Sequence, residues 1–109
     1  MTDIQEITAA ISTFNKERDW DQFHNGKDLS IALSIETSEL LELFLWKKPE
    51  DVSVDRIIEE LADVFCYSFQ LAERYNLDVK EIVMKKLAKN AEKYPVEKAK
   101  GVATKYNEL

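Results

Sequence analysis

Two pairs of acidic residues interrupt the apolar sides of predicted helices. The first pair is Glu36 and Glu39, and the second pair, about twenty residues later, is Glu60 and Asp63. At about 100° per residue, residues three apart share one helix face, and Glu36 and Glu60 fall within apolar stripes. An ionised carboxylate in such a place is costly unless a cation or a hydrogen-bonded partner compensates its charge. The spacing therefore predicts either a metal site or carboxylates paired with basic side chains.

Oxygen ligands alone favour a hard cation. Magnesium typically joins a few carboxylates to the phosphates of a substrate, whereas zinc prefers sulfur or imidazole ligands. A di-iron carboxylate bundle would require Glu-x-x-His on two helices, and the one histidine, His24, lies in a predicted loop. Magnesium is thus the preferred chemical interpretation. On spacing alone, pairing with Lys or Arg, or exposure of the acids to solvent, remains an equal alternative.

The elements that must position these acids are helices. Glycine and proline divide the chain into segments of helical length, and no alternating strand pattern competes with the three- and four-residue apolar spacing. We predict four helices: from an N-cap at Asp3 to about Arg18, from about Asp28 to Trp46, from a cap at Ser53 to near Tyr75, and from a cap at Asp78 to just before Pro95. Leu61 and Phe65 are predicted to face inward on the third helix. The sequence thus predicts an all-α protein, one domain over residues 1–109 with a polar tail from about residue 97.

Composition limits the classes of function. A chain of 109 residues buries a modest core, so we expect association with a partner. The 15 basic against 21 acidic residues, a net charge of -6, disfavour a general nucleic-acid binder. No apolar run approaches the roughly 18 residues that span a bilayer, so no membrane partner is expected. The single cysteine, Cys66, excludes an internal disulfide and favours a cytoplasmic protein.

The two acidic motifs resemble a known signature. The string Glu36-Thr-Ser-Glu39 followed by Glu60-Leu-Ala-Asp63 resembles that of the all-α nucleoside triphosphate pyrophosphohydrolases, the MazG-like superfamily. Further segments resemble the dCTP pyrophosphatase branch: 17–24, 39–47, 63–67, Lys86, Asn90, Tyr94-Pro95 and 105–109. The resemblance therefore covers nearly the whole chain.

The resemblance implies a fold, a reaction and an assembly. The fold is a four-helix MazG-like subunit that completes a helical bundle with a second subunit, as a homodimer or homotetramer. The reaction is the magnesium-dependent conversion of a nucleoside triphosphate, dCTP or a modified dCTP in particular, to the monophosphate and pyrophosphate, a role in nucleotide pool sanitation. The resemblance assigns Mg²⁺ to Glu36, Glu39, Glu60 and Asp63, and we expect Glu36 to accept the proton of the attacking water.

The resemblance also implies seven contacts with the substrate. Trp20 and Trp46 would stack on the base, and His24 would either line its pocket or cap a helix. Tyr67 and Lys86 would contact the phosphates. Asn90 would hydrogen-bond a phosphate or the sugar, and Tyr94 would close the site. Without the resemblance, these residues are ordinary: aromatic interface filler, a buried tyrosine and a solvated lysine face. Two other functions remain open, namely the same reaction on another nucleotide such as dUTP, and a non-catalytic helical dimerisation or regulatory module.

Overall fold

The computed structural model describes residues 1–109 and is entirely helical, which confirms the all-α class. Its four main helices are α1 (Asp3–Glu17), α2 (Gly26–Glu42), α3 (Val54–Arg74) and α4 (Val79–Lys93). A single helical turn, α5 (Val96–Ala99), follows, and 3₁₀ segments occur at Asp21–Phe23, Pro49–Asp51 and Tyr106–Glu108. None of the helices is both long and apolar enough to cross a membrane.

Polar caps set the helix starts, and two starts differ from the prediction. Thr2, not Asp3, caps α1: its hydroxyl accepts from the Gln5 backbone N–H at 3.2 Å, and the Gln5 side chain accepts from the Thr2 N–H at 3.0 Å. This reciprocal pair is a capping box. Helix α2 begins at Gly26 because the Asn25 side chain accepts from the Asp28 N–H at 2.8 Å, which moves the start toward the N-terminus.

The starts of α3 and α4 lie at the predicted caps, whereas the end of α2 differs from the prediction. Asp78 caps α4 as predicted, since its carboxylate accepts from the Glu81 N–H at 2.9 Å. Ser53 occupies the cap position of α3, but its side chain makes no capping hydrogen bond. The predicted end of α2 at Trp46 is wrong: the helix ends at Glu42, and Trp46 has a left-handed φ of 63° that cannot continue a right-handed helix.

The chain forms two compact units, Met1–Leu77 and Asp78–Leu109. In the first unit, α2 and α3 pack along each other and α1 packs on α3. Its buried apolar residues are Leu29, Leu43, Val52 and Ala72. In the second unit, the predicted polar tail is partly structured, because Tyr94 meets Tyr106 edge to face at 6.0 Å between ring centroids. That all 109 residues act as one domain stays a prediction.

Much apolar surface on α2 and α3 is uncovered. Leu61 and Phe65 were expected to face inward, yet they are 38% and 52% exposed. Ile31 and Ile35 of α2 are exposed to a similar degree. Helical periodicity predicted that Leu61 and Phe65 face inward, but the single chain has no element that covers them.

A close approach explains Gly26 at the start of α2. A Cβ at this position would overlap the phenol ring of Tyr75, the C-cap residue just after α3. We expect Gly26→Ala to lower the free energy of unfolding in urea denaturation by less than the about 1–3 kcal/mol of overpacking in a core, because the exposed Tyr75 ring can move aside. In a Tyr75→Leu background the same substitution should cost much less. An equal loss in both backgrounds would contradict the steric explanation.

Candidate metal centre

Helices α2 and α3 bring the predicted acids together. Carboxylate oxygens of Glu36, Glu60 and Asp63 all lie within 4.8 Å of one another. Glu36 and Glu60 are half-buried, whereas Asp63 is exposed. The exposed Glu39, one turn after Glu36, lies outside this group of three, but it is close enough to raise the pKa of both Glu36 and Glu60. Two i, i+3 pairs on packed helices thus converge on one place.

The cluster holds like charges in a partly buried setting. Burial raises the pKa of Glu36 from 4.5 to about 7, and the neighbouring carboxylates of Glu39, Asp63 and Glu60 add to the effect. Burial also raises the pKa of Glu60, again with contributions from Glu39 and Asp63, while the Arg56 charge opposes them. Crowded carboxylates of this kind require either a proton or a cation.

The hydrogen bonding of two carboxylate oxygens indicates whether these residues fit a metal ion. Glu36 Oε2 and Glu60 Oε2 are buried and have no hydrogen-bond partner. Neither acid forms an ion pair. The one salt bridge in this chain joins Lys85 to Glu81 on α4. Pairing with basic residues is therefore not how the chain compensates these acids. An all-oxygen donor set with two unsatisfied buried atoms fits a hard divalent cation.

Tyr67 and Cys66 follow the acids along α3. The pKa of the half-buried Tyr67 is raised by burial and then by the charges of Glu36 and Asp63, so its hydroxyl stays a hydrogen-bond donor. Burial, followed by the Asp63 charge, also raises the pKa of the Cys66 thiol. A protonated, half-buried thiol is consistent with packing rather than with a nucleophile.

Both tryptophans occur beside strained backbone. Trp20 follows Asp19, which has a φ of 54°, and Trp46 itself has a φ of 63°. Trp20 lies edge to face with Phe14 at 5.7 Å, and the Arg18 guanidinium covers the Phe14 ring at 3.7 Å. Trp46, by contrast, is 99% exposed. Left-handed conformations at non-glycine residues are costly and concentrate at functional sites.

A cleft lies between the end of α1, the loop before α2 and the end of α3. Its volume is about 510 Å³, and the half-buried His24 forms part of its wall, with an Nδ1 atom that is buried and unpartnered. Asn15, only 5% exposed, donates to Gln70 Oε1 at 2.8 Å in the same cleft. Sequence reasoning missed this pair. The available signal was a carboxamide on the apolar side of each helix.

The remaining predicted contacts belong to the second unit. Lys86, Asn90 and Tyr94 recur at intervals of four residues, and the first two lie on one face of α4. Lys86 is exposed and Asn90 is half-buried. Tyr94 ends α4, and its backbone N–H donates to the Asn90 carbonyl at 2.8 Å. That Tyr94 completes one polar edge with Lys86 and Asn90 stays a prediction.

The raised pKa of Glu36 makes stability depend on pH. Its pKa is about 7 in the folded chain and 4.5 when unperturbed, so the folded chain binds the proton more tightly. The metal-free protein should therefore lose stability as the pH rises from 4.5 through 7. Thermal unfolding in chelator should show this loss, and Glu36→Gln should remove most of it. Glu42→Gln, at an exposed position on the same helix, is the control. A Glu36→Gln variant with the parental pH profile would contradict burial of the charge.

Comparisons with known proteins identify the family of the chain. Residues 31–109 match the MazG-like family. The dCTP pyrophosphatase 1 of Mus musculus is 36% identical over 97% of this chain and 67% of its own length, and that of Homo sapiens is 37% identical over the same shares. A crystal structure of a pyrophosphatase from Archaeoglobus fulgidus superposes with a TM-score of 0.77 and 31% identity, covering 87% of this chain and 94% of that chain. The chain belongs to the MazG-like family.

Proposed function

We propose that the chain is a nucleoside triphosphate pyrophosphohydrolase with a preference for dCTP or a modified dCTP. The observation that carries the proposal is the meeting of Glu36, Glu60 and Asp63 within 4.8 Å, with Glu39 beside them. The similarity to dCTP pyrophosphatases over 97% of the chain supports both the reaction and the choice of base. The free thiol of Cys66 is consistent with action in the cytoplasm.

The four acids would hold Mg²⁺. Pyrophosphatases of this family are generally metal-dependent. In this chain, the buried oxygens of Glu36 and Glu60 have no hydrogen-bond partner and are therefore available to bind the ion. When bound, the ion supplies neutralisation of phosphate charge and makes a water molecule easier to deprotonate. Magnesium is preferred over zinc because the donor set contains neither thiolate nor imidazole.

The reaction itself assigns tasks to the chain's own side chains. A bond forms between the water oxygen and the α-phosphorus, and the bond from that phosphorus to the bridging oxygen breaks, which releases pyrophosphate. Glu36 takes the proton of the water, because its carboxylate lies among the acids of the metal site and is ionised when a cation compensates their charge. Tyr67, which keeps its proton, donates a hydrogen bond to a phosphate oxygen.

Aromatic and basic side chains complete the substrate site in this proposal. Trp20 and Trp46 stack on the base, which in other nucleic-acid systems is worth about 1–3 kcal/mol per base. His24 lines the pocket. The phosphates and the sugar are contacted by Lys86 and Asn90, and Tyr94 closes the site. Trp46, 99% exposed in the single chain, suits a position that a second subunit completes.

A homo-oligomer, a dimer or a tetramer, is part of the proposal. Exposed apolar side chains follow helical spacing on the two helices that carry the acids, namely Ile31 and Ile35 on α2 and Ile58, Leu61 and Phe65 on α3. Patches of this kind mark interaction surfaces in proteins that are not membrane-bound. A second copy would bury them and complete a helical bundle, as in other small all-α subunits.

The reaction is tested by release of pyrophosphate from a panel of nucleoside triphosphates with magnesium. We expect dCTP to give the highest kcat/KM. Glu36→Gln should lower kcat by about 10²-fold or more, the usual contribution of one acid–base group. Asp63→Asn should also remove most of the activity, because it replaces a charged ligand of the ion. Glu59→Gln, at an exposed position beside Glu60, is the matched control. A purine at the top of the panel would overturn the base preference. Absence of pyrophosphate release would instead favour the non-catalytic dimerisation module.

The assembly is tested by light scattering at micromolar concentration. The parent protein should have at least the mass of a dimer, and Phe65→Glu should shift it toward the monomer because a charge cannot be buried unpaired in an apolar interface. Thr13→Glu, an exposed polar position on α1, is the control. A monomer mass for the parent protein would contradict the proposed assembly.

A further inference from the structure

The cleft beside His24 has a polar floor built from two carboxamides. Asn15 comes from α1 and Gln70 from α3, and both line the cleft together with Leu29 at the start of α2. Its volume of about 510 Å³ lies within the usual range of roughly 300–1,000 Å³ for small-molecule sites. We call it the carboxamide cleft.

Hydrogen bonds fix the orientation of both carboxamides. Gln70 Oε1 accepts from Asn15 Nδ2 at 2.8 Å, and Gln70 Nε2 donates to the Cys66 carbonyl at 3.1 Å. Asn15 is 95% buried by this packing, and its Oδ1 atom accepts no hydrogen bond from the protein. The floor of the cleft therefore keeps a free acceptor next to unused N–H donors.

The helices relate the cleft to the metal centre. Leu29 lies seven residues before Glu36 on α2, and Gln70 lies seven residues after Asp63 on α3. Seven residues make about two turns, or roughly 10.5 Å along a helix, and return to nearly the same face. That separation matches the reach from the α-phosphate of a nucleotide to the far edge of its base.

The charge of the cleft suits a neutral group rather than phosphate. Two basic and two acidic side chains lie at its wall, namely Lys16, Arg74, Asp21 and Glu73. Their charges cancel, so the cleft offers no net attraction for an anion. Trp20 precedes the segment of this wall that contains Asp21 and His24. The Trp20 backbone N–H also donates to the Asn15 carbonyl at 3.0 Å, so Trp20 adjoins the cleft through its backbone.

We infer that the carboxamide cleft receives the base of the nucleotide, and that Asn15, held by Gln70, reads its hydrogen-bonding edge. The inference rests on the proposed function. A carboxamide presents an acceptor beside a donor, which matches an exocyclic amino group beside an unprotonated ring nitrogen, the edge that cytosine has and uracil and thymine lack. A site built around such bonds rejects a base that leaves them unpaired. Asn15 and Gln70 thus supply selectivity that stacking alone cannot supply.

The test replaces both carboxamides by apolar groups of similar size, Asn15→Leu with Gln70→Met, because exchanging both partners of a hydrogen bond leaves no orphaned group. We expect kcat/KM for dCTP to fall by about tenfold or more, mainly through KM, while the values for dUTP and dTTP change far less. Thr13→Ala, an exposed residue on α1 outside the cleft, should keep the parental ratio. An unchanged ratio of dCTP to dUTP in an active double variant would overturn the inference and leave the proposed function intact.

A second measurement uses the unmodified protein, in case the double variant does not fold. In ¹⁵N-labelled protein, the side-chain amide resonances of Asn15 and Gln70 should shift on addition of dCMP and much less on addition of dUMP. Equal responses to the two nucleotides, or no response to either, would overturn the inference. A parent protein that releases no pyrophosphate from any nucleotide overturns the proposed function, and the inference falls with it.

Discussion

The repulsion among four carboxylates is the constraint on which the rest of the structure depends. Helices α2 and α3 pack side by side, yet the residues at one point of their contact, Glu36 and Glu60, are half-buried acids with unpartnered oxygens. An apolar pair at these positions would stabilise the contact, so the acids lower the stability of the isolated chain. The raised pKa of Glu36 is the measurable sign of this cost. Arrangements that sacrifice stability in this way are typical of functional sites.

Few apolar residues are available to offset that cost within one chain. The buried apolar residues are Leu29, Leu43, Val52 and Ala72, and only Leu29 has a side chain with almost no exposure. A chain of this size cannot bury a large fraction of its surface. The uncovered apolar residues of α2 and α3, such as Ile35 and Phe65, lie on the same helices as the acids. Association through that face would stabilise the two helices whose packing holds the carboxylates together.

The ends of the helices give the other half of the proposed site its shape. The left-handed residues Asp19 and Trp46 turn the chain sharply after α1 and α2. One turn holds Trp20 against Phe14, and the other leaves Trp46 in solvent. Near the first turn, the hydrogen bond from Asn15 to Gln70 ties α1 to α3 and forms the floor of the cleft. The helix ends thus position the tryptophans, and the buried Asn15–Gln70 pair positions the cleft, whereas the helix faces position the acids.

By itself, the sequence determined the helical class, the number of long helices and the four acids, because each depends on local chemistry. Apolar spacing, an Asp78 cap and an i, i+3 acidic pair act within one helix and can be counted along the chain. The end of α2 was mispredicted at Trp46 because the residues after Glu42 carry apolar side chains in helical register, although the backbone leaves the helix there.

The tertiary structure decided what depends on residues far apart in sequence. It placed Glu36 beside Glu60, left Phe65 exposed where periodicity suggested burial, and paired Asn15 with Gln70 across 55 residues. Each of these features depends on which helix faces which. Local patterns reveal the face that a helix buries, whereas the partner of that face is fixed only when the helices pack.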